Sequence, residues 1–449
     1  MLTGNMLILV FIFALAFLFF LILKLKVDPF LSLITIAIIT ALIMGFKLNE
    51  VAGIVSGGFG NTLTGVGILI GLGVIFGEFL AASGAIEKIA QAVLKGFGNR
   101  RSVAGLGLTG TVVSIPVFFD AAFVILSGLI KSLSKKTGIS VVSFVTALGI
   151  GLIVSHSMVP PTPGPLVVTE NTNADLGLFI LYAIICAIPA TLVGGYLYGL
   201  FIGKRVNPSG DIDENAGTDE NNPKPKKEIS TGLSLFMLAL PIILILLNTL
   251  SQLLFPNTLI SAVLGFIGEK NVALLISVLA AIIILKPYIS IPYQQLYSQA
   301  INSAGIIILI TGAGGAFGAV INESGIGDHL IETMQSWSIP VLLLAFIFSQ
   351  ILRASLGSAT VALVTTSSIL GPAAGDLGVS PILLGLAICS GAIGLSLPND
   401  SGFWVVNKFG KLTIVQTLKA WTIGGFLAGL TSLIMVYILS LFSGILPGI

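Results

Sequence analysis

Few residues in this chain are capable of chemistry, and they sit in unusual surroundings. Asp120 follows a proline and two phenylalanines in SIPVFFDAAF at 114–123, and His156, Ser157 and Thr162 fall in the proline-rich SHSMVPPTPGP at 155–165. Gly357, Ser358 and Thr360 belong to the run GSAT, and Asn399, Asp400 and Ser401 to SLPNDSGFW at 396–404. An ionisable group in apolar sequence is costly unless something binds it, and inside a membrane such groups mark ion or substrate pathways. A carboxylate or a histidine there can carry a proton. Hydroxyls and backbone amides freed at a broken helix, as at Ser358 and Thr360, can hold a carboxylate or a polyol.

Each candidate also has a plainer reading. Asp120 and Asp400 can cap a following helix by satisfying its free amides and its dipole. The small residues around Gly357 can serve only to let helices approach closely. His156 can be a hydrogen-bonded structural group and is the second choice, after Asp120, as proton carrier. Glu78, in VIFGEFLAASG, is a further carboxylate candidate nearer an interface.

The elements that must position these residues follow from composition. The chain has 449 residues, 55% of them hydrophobic and 9% charged, with a mean hydropathy of +1.08. A soluble domain carries about 25% charged residues, so this composition belongs to a polytopic membrane protein. A net charge of +2 gives no reason to expect a nucleic acid partner. Cys186 and Cys389 both lie in apolar segments and suggest neither a disulfide framework nor a metal cluster. With two histidines and no HExxH or GxSxG pattern, the chain offers little to an intramembrane hydrolase.

Apolar runs predict ten full spans, at about 6–23, 29–46, 63–82, 140–159, 176–203, 231–250, 271–286, 300–322, 380–397 and 420–445. The first lacks the basic start and the cleavage site of a signal peptide and reads as a retained span. Two further stretches, 102–131 and 341–372, are interrupted by Pro116 and by GSAT at 357–360 and read as re-entrant hairpins. Such backbone survives at membrane depth only where protein or a wet cavity covers it. With both termini outside, 18 of the 21 lysines and arginines fall on the inner side, leaving Lys47, Lys270 and Arg353 outside or at depth. The polar run at 204–229 then reads as a cytoplasmic linker between a membrane half at 1–203 and another at 230–449.

The halves resemble each other. FGEFLAASGAIEKIA at 76–90 aligns with FGAVINESGIGDHLI at 317–331, and the stretch at 138–166 aligns with that at 378–404, with a broken segment between the matches each time. The predicted orientations make the repeats inverted. Inverted repeats with broken helices at matching positions are the architecture of secondary transporters, which bind substrate at those breaks.

PVFFD at 116–120, SHSMVPPTPGP at 155–165, GSATVALVTT at 357–366 and NDSGFW at 399–404 resemble the gluconate permease family, of the ion transporter superfamily, over nearly the whole chain. The resemblance implies proton-coupled uptake of gluconate or a related small hydroxy or sugar acid across the bacterial inner membrane, without a cofactor. It also implies a homodimer with an elevator-like transport domain. D-serine or another small carboxylate, and sodium in place of the proton, stay open as alternatives. Leu397 and Pro398 stand where the family often has His and Val before Asn-Asp, a departure that bears on substrate identity more than on transport.

Overall fold

The computed structural model describes residues 4–98, 101–206, 227–326, 329, 340–372, 374, 378–398 and 400–449. Regular structure in them is helical throughout, as expected where no water is present to satisfy an open backbone.

The chain opens with α1 (Asn5–Phe19), α2 (Pro29–Ile43) and the long α3 (Leu48–Ala82). Pro29 sits at the first turn of α2, where its missing amide costs nothing, and the Asp28 carboxylate accepts the Phe30 amide at 2.8 Å. After α4 (Ala85–Phe97) come α5 (Ser102–Val113) and α6 (Phe119–Thr137), then α7 (Val141–Met158) and α8 (Pro163–Asn171). Helices α9 (Leu176–Ala190) and α10 (Tyr198–Gly203) run on through a π-helical join at Thr191–Leu197. The second half holds α11 (Thr231–Leu254), α12 (Leu259–Ile267), α13 (Lys270–Ile284) and α14 (Tyr293–Glu323). There follow α15 (Val341–Leu356), α16 (Ala359–Leu370), α17 (Pro381–Ile393), α18 (Ser401–Phe409), α19 (Ile414–Thr417) and α20 (Ile423–Ser440).

Among the described residues six helical stretches are long and apolar enough to cross a bilayer, or seven if α12 and α13, bent by 60°, form one span. The ten expected spans therefore do not all appear as full-length helices; Pro29–Ile43 and Pro381–Ile393 are shorter apolar helices. Helices α3 and α14 begin well before the expected positions 63 and 300. Their early turns are rich in Gly, Ser, Asn and Gln and look like loop. They stay helical because α3 and α14 pack along each other. At one crossing a Cβ on Gly58 would lie 2.7 Å from the Gly315 carbonyl oxygen, and a Cβ on Gly315 the same distance from that of Gly58.

Sequence reading also missed α4, whose Ala85, Ile86, Ile89 and Ala90 form one buried face beneath charged residues. Lys88 on this helix pairs with Glu228 at 2.8 Å, and the cation holds that exposed carboxyl below the usual carboxylate range. Most of the expected linker, residues 207–226, lies outside the described residues.

The two halves share an order of elements: a long helix, a pair of helices joined by a tight turn, and a buried helix that breaks. Both α5 and α6 pack on α7, and both α15 and α16 pack on α17. Every residue of α7 from Val142 to Met158 is buried, which is why its sequence shows no polar face. The Phe-Gly kept in both repeats has a structural reason. A Cβ on Gly77 would stand 2.4 Å from the Pro116 carbonyl oxygen, and one on Gly318 would stand 2.7 Å from Cβ of Ser368. Each glycine is the seat of one helix pair.

Candidate functional site

Of four breaks in helical structure, three open onto one cavity of about 470 Å³, and the helix that precedes the other reaches it through Ile153 and His156. The first is the turn between α5 and α6. Pro116 cannot continue a helix, so the chain leaves α5 at Ser114, whose hydroxyl donates to the Val117 carbonyl at 3.0 Å, and restarts at Phe119. The second is the gap after α7, where the prolines at 160 and 161 separate Met158 from the restart at Pro163. The third is the turn from α15 to α16. Gly357 takes a left-handed φ of 67° there, and its amide donates to the Arg353 carbonyl at 3.1 Å. The fourth is the gap between α17 and α18.

Consequently α6, α16 and α18 all begin at the cavity wall, through Asp120, through Ser358 to Val361, and through Asp400 to Gly402. Helix starts carry free amides and the positive end of the dipole, so three of them facing one space favour an anion. The starts are close together: a Cβ on Gly402 would meet the Phe119 ring at 3.2 Å, and one on Gly164, at the start of α8, would meet Cα of Thr360 at 3.6 Å.

Of the residues singled out by sequence, Asp120, His156, Ser358, Thr360, Asp400 and Ser401 line this cavity. Asp120, at the second position of α6, is exposed to the cavity and faces the Ser401 hydroxyl, with Asp400 and Arg353 within electrostatic reach. The cap position of α6 belongs to Phe118, whose side chain bonds no amide. His156 is in the last turn of α7, buried, with its ring 5.8 Å from that of Phe118 and with Nδ1 lacking a partner among the described residues. The Ser358 hydroxyl oxygen accepts the Val361 amide at 3.4 Å, capping α16.

Three candidates stand apart from the cavity wall. Ser157 is buried and its hydroxyl has no partner among the described residues. Thr162 faces a narrow gap beside Gly73 and Pro116, and its hydroxyl donates to the Val159 carbonyl at 2.7 Å. Gly357 forms the turn itself. Asn399 lies outside the described residues.

Asp400 fills both roles left open for it. Its Oδ1 accepts the Gly402 amide at 3.0 Å as a helix cap, and its Oδ2 pairs with Arg353 Nη2 and accepts from the Ser396 hydroxyl. Arg353 was assigned by sequence to the outside or to membrane depth, as an exception to the charge pattern. It is 2% exposed, lines the cavity, and donates from Nε to the Ala392 carbonyl at 3.1 Å. Its Nη1 is buried and has no partner among the described residues. A lone arginine in the apolar run 341–356 was the signal available for it. Glu78, half-buried on α3, completes the charged wall, while Phe118, Ile153, Ile306, Ile307 and Ile310 supply the apolar part. Three carboxylates therefore face one guanidinium.

The family model for GntP family permeases matches residues 6–442. The chain is 34% identical to the inner membrane permease YgbN of Escherichia coli over 92% of this chain and 94% of that one. It is 32% identical to a gluconate permease of Pseudomonas aeruginosa, covering 93% and 94%, and 32% identical to the low-affinity gluconate transporter of Escherichia coli, covering 93% of each. Among solved structures the fold is similar to that of the Alcanivorax borkumensis YdaH transporter, described as having an unusual topology, with a TM-score of 0.66 at 14% identity over 92% of this chain and 98% of that one.

Proposed function

The chain belongs to the GntP permease family, a family of multi-pass membrane transporters, and from that premise we propose that it carries gluconate or a related small hydroxy or sugar acid inward together with a proton. The observation that supports this most is the charge of the cavity wall. Glu78, Asp120 and Asp400 outnumber Arg353, so an anionic substrate meets net repulsion that each proton taken up by a carboxylate reduces. Asp120 is the group for this, because Asp400 is already committed to Arg353, Ser396 and the Gly402 amide.

In this reading the outward-facing protein takes a proton on Asp120 and a hydroxy acid beside it. Ser358, Thr360 and Ser401 pair with the substrate hydroxyls, and the apolar wall of Ile306, Ile307 and Ile310 packs its carbon chain. Neutralising one charge lowers the cost of moving the loaded site across the membrane. The chain acts in the bacterial inner membrane as a homodimer, with both termini outside, the linker at 204–229 inside, and the hairpins moving with an elevator-like transport domain.

Uptake of labelled gluconate into proteoliposomes tests the reading. An inward proton gradient should drive accumulation that a protonophore abolishes and that replacing sodium at fixed pH leaves unchanged. Accumulation that follows sodium would favour the sodium-coupled alternative. Competition by glycerate, D-serine and sugar acids identifies the substrate class.

A further inference from the structure

The cavity has three helix starts but only two carry a carboxylate. Asp120 stands in the first turn of α6 and Asp400 caps α18, whereas α16 begins with Ser358, Ala359 and Thr360. Among the described residues the Ser358 oxygen accepts the Val361 amide. The Ala359 and Thr360 amides are the first two of their helix and have no carbonyl within it to donate to. Five residues before Ser358, across the Gly357 turn, Arg353 reaches the same cavity. Nε and Nη2 of its guanidinium are engaged with Ala392 and Asp400, which leaves Nη1, buried, as the guanidinium nitrogen without a partner among the described residues.

We propose that Arg353 Nη1, together with the Ala359 and Thr360 amides, is the seat of the substrate's carboxylate. This rests on the reading of the chain as a hydroxy-acid carrier and gives it a binding polarity: the acid end lies between α15 and α16, and the hydroxylated carbons extend toward Ser401 and the Asp120 side. A guanidinium held rigidly by one carboxylate presents its remaining donors to a second in a fixed plane, and a lysine could not do both. Selectivity for an acid over its uncharged amide is then a property of this seat.

The experiment measures binding of gluconate and of uncharged gluconamide to the purified full-length protein. One variant is the double Arg353→Gln/Asp400→Asn, which removes both members of the ion pair, leaves no buried charge alone and keeps a good capping residue at 400. The other is Ala359→Pro. It deletes one free amide at a first helical position, where proline is tolerated, after an extended Ser358 with φ −146° and ψ 125°.

A charge-assisted hydrogen bond is strong enough that gluconate affinity should fall at least about tenfold in the double variant, and less in Ala359→Pro. Gluconamide binding should change little, so the ratio between the two ligands narrows in both. If the double variant does not fold, Ala359→Pro decides alone. An unchanged ratio in folded variants overturns the carboxylate seat and leaves the carrier reading intact. A wild-type protein that binds no hydroxy acid at all overturns the carrier reading and the seat with it.

Discussion

Arg353 and Asp400 form a buried ion pair that ties the second helix pair to the break between α17 and α18. The two are 2% and 4% exposed, and the pair shares its surroundings with the Ser396 hydroxyl and the Ala392 carbonyl. Taking two charges out of water is expensive, and the attraction between them offsets that cost only when both are present.

Removing one partner should therefore cost far more than removing both. Arg353→Gln or Asp400→Leu alone is expected to destabilise the protein by about 3–5 kcal/mol, and Arg353→Gln with Asp400→Asn by clearly less. Cys186 and Cys389 are free and buried, so a thiol-reactive dye in a temperature ramp reports unfolding without a label. A double variant that melts below both single variants would show that the pair is not a unit.

Asp120 and His156 make different predictions although they line the same cavity. In proteoliposomes, Asp120→Asn should abolish accumulation driven by a proton gradient while exchange of internal for external gluconate continues, because the neutral amide mimics the protonated carboxyl. His156→Gln should keep gradient-driven accumulation, since the buried ring forms part of the wall. Loss of coupling in the histidine variant with coupling intact in Asp120→Asn would move the proton to His156.

The architecture was readable wherever a single residue type forces a backbone event. Pro116 and the prolines at 160 and 161 placed two breaks, and GSAT at 357–360 placed a third, because a missing amide or a Cβ-free turn acts locally. The start of α3 was not readable: residues 48–61 are helical because Gly58 lies against Gly315, a contact 257 residues away in sequence. Asp120 and Asp400 stood out as charges inside motifs. Arg353 stands out equally in sequence, as an exception to the charge pattern, and its pairing with Asp400 is what makes a charge stable there. The hydroxyls could not be sorted by type, since Ser358 and Ser157 differ only in which way the folded chain turns them.

The pair between Lys88 and Glu228 predicts a local pH effect outside the membrane. Lys88 lowers the carboxyl's proton affinity by a hydrogen bond and by its charge, so the contact is fully present above the ordinary glutamate value of about 4.3. It is lost as the pH falls through the lowered one. Hydrogen exchange at residues 228–230 should quicken at low pH, after correction for the intrinsic rate, and Glu228→Gln should show that faster exchange already at neutral pH. Equal protection in the variant would mean that the pair does not hold this segment.

Two glycines seat the helix pairs. Gly77 leaves room for the Pro116 carbonyl oxygen at the turn that presents Asp120, and Gly318 leaves room for Ser368 on α16, whose first turn presents Ser358 and Thr360. An added methyl group at either place meets an atom closer than 3 Å, and at Gly77 that atom is backbone, which cannot rotate away. Overpacking of this kind typically costs about 1–3 kcal/mol. Gly77→Ala should therefore lower both the melting temperature and the rate of gluconate uptake, because relieving the clash displaces the turn that carries Asp120. Gly318→Ala has a softer neighbour in the Ser368 side chain but also faces that residue's carbonyl oxygen, at 2.9 Å, and should act in the same direction by a smaller amount. Gly53 provides the control on the same helix as Gly77, since its added Cβ meets nothing within 4 Å, and Gly53→Ala should melt no lower than wild type. If all three variants transported and melted alike, the Phe-Gly shared by the two repeats would have a different reason.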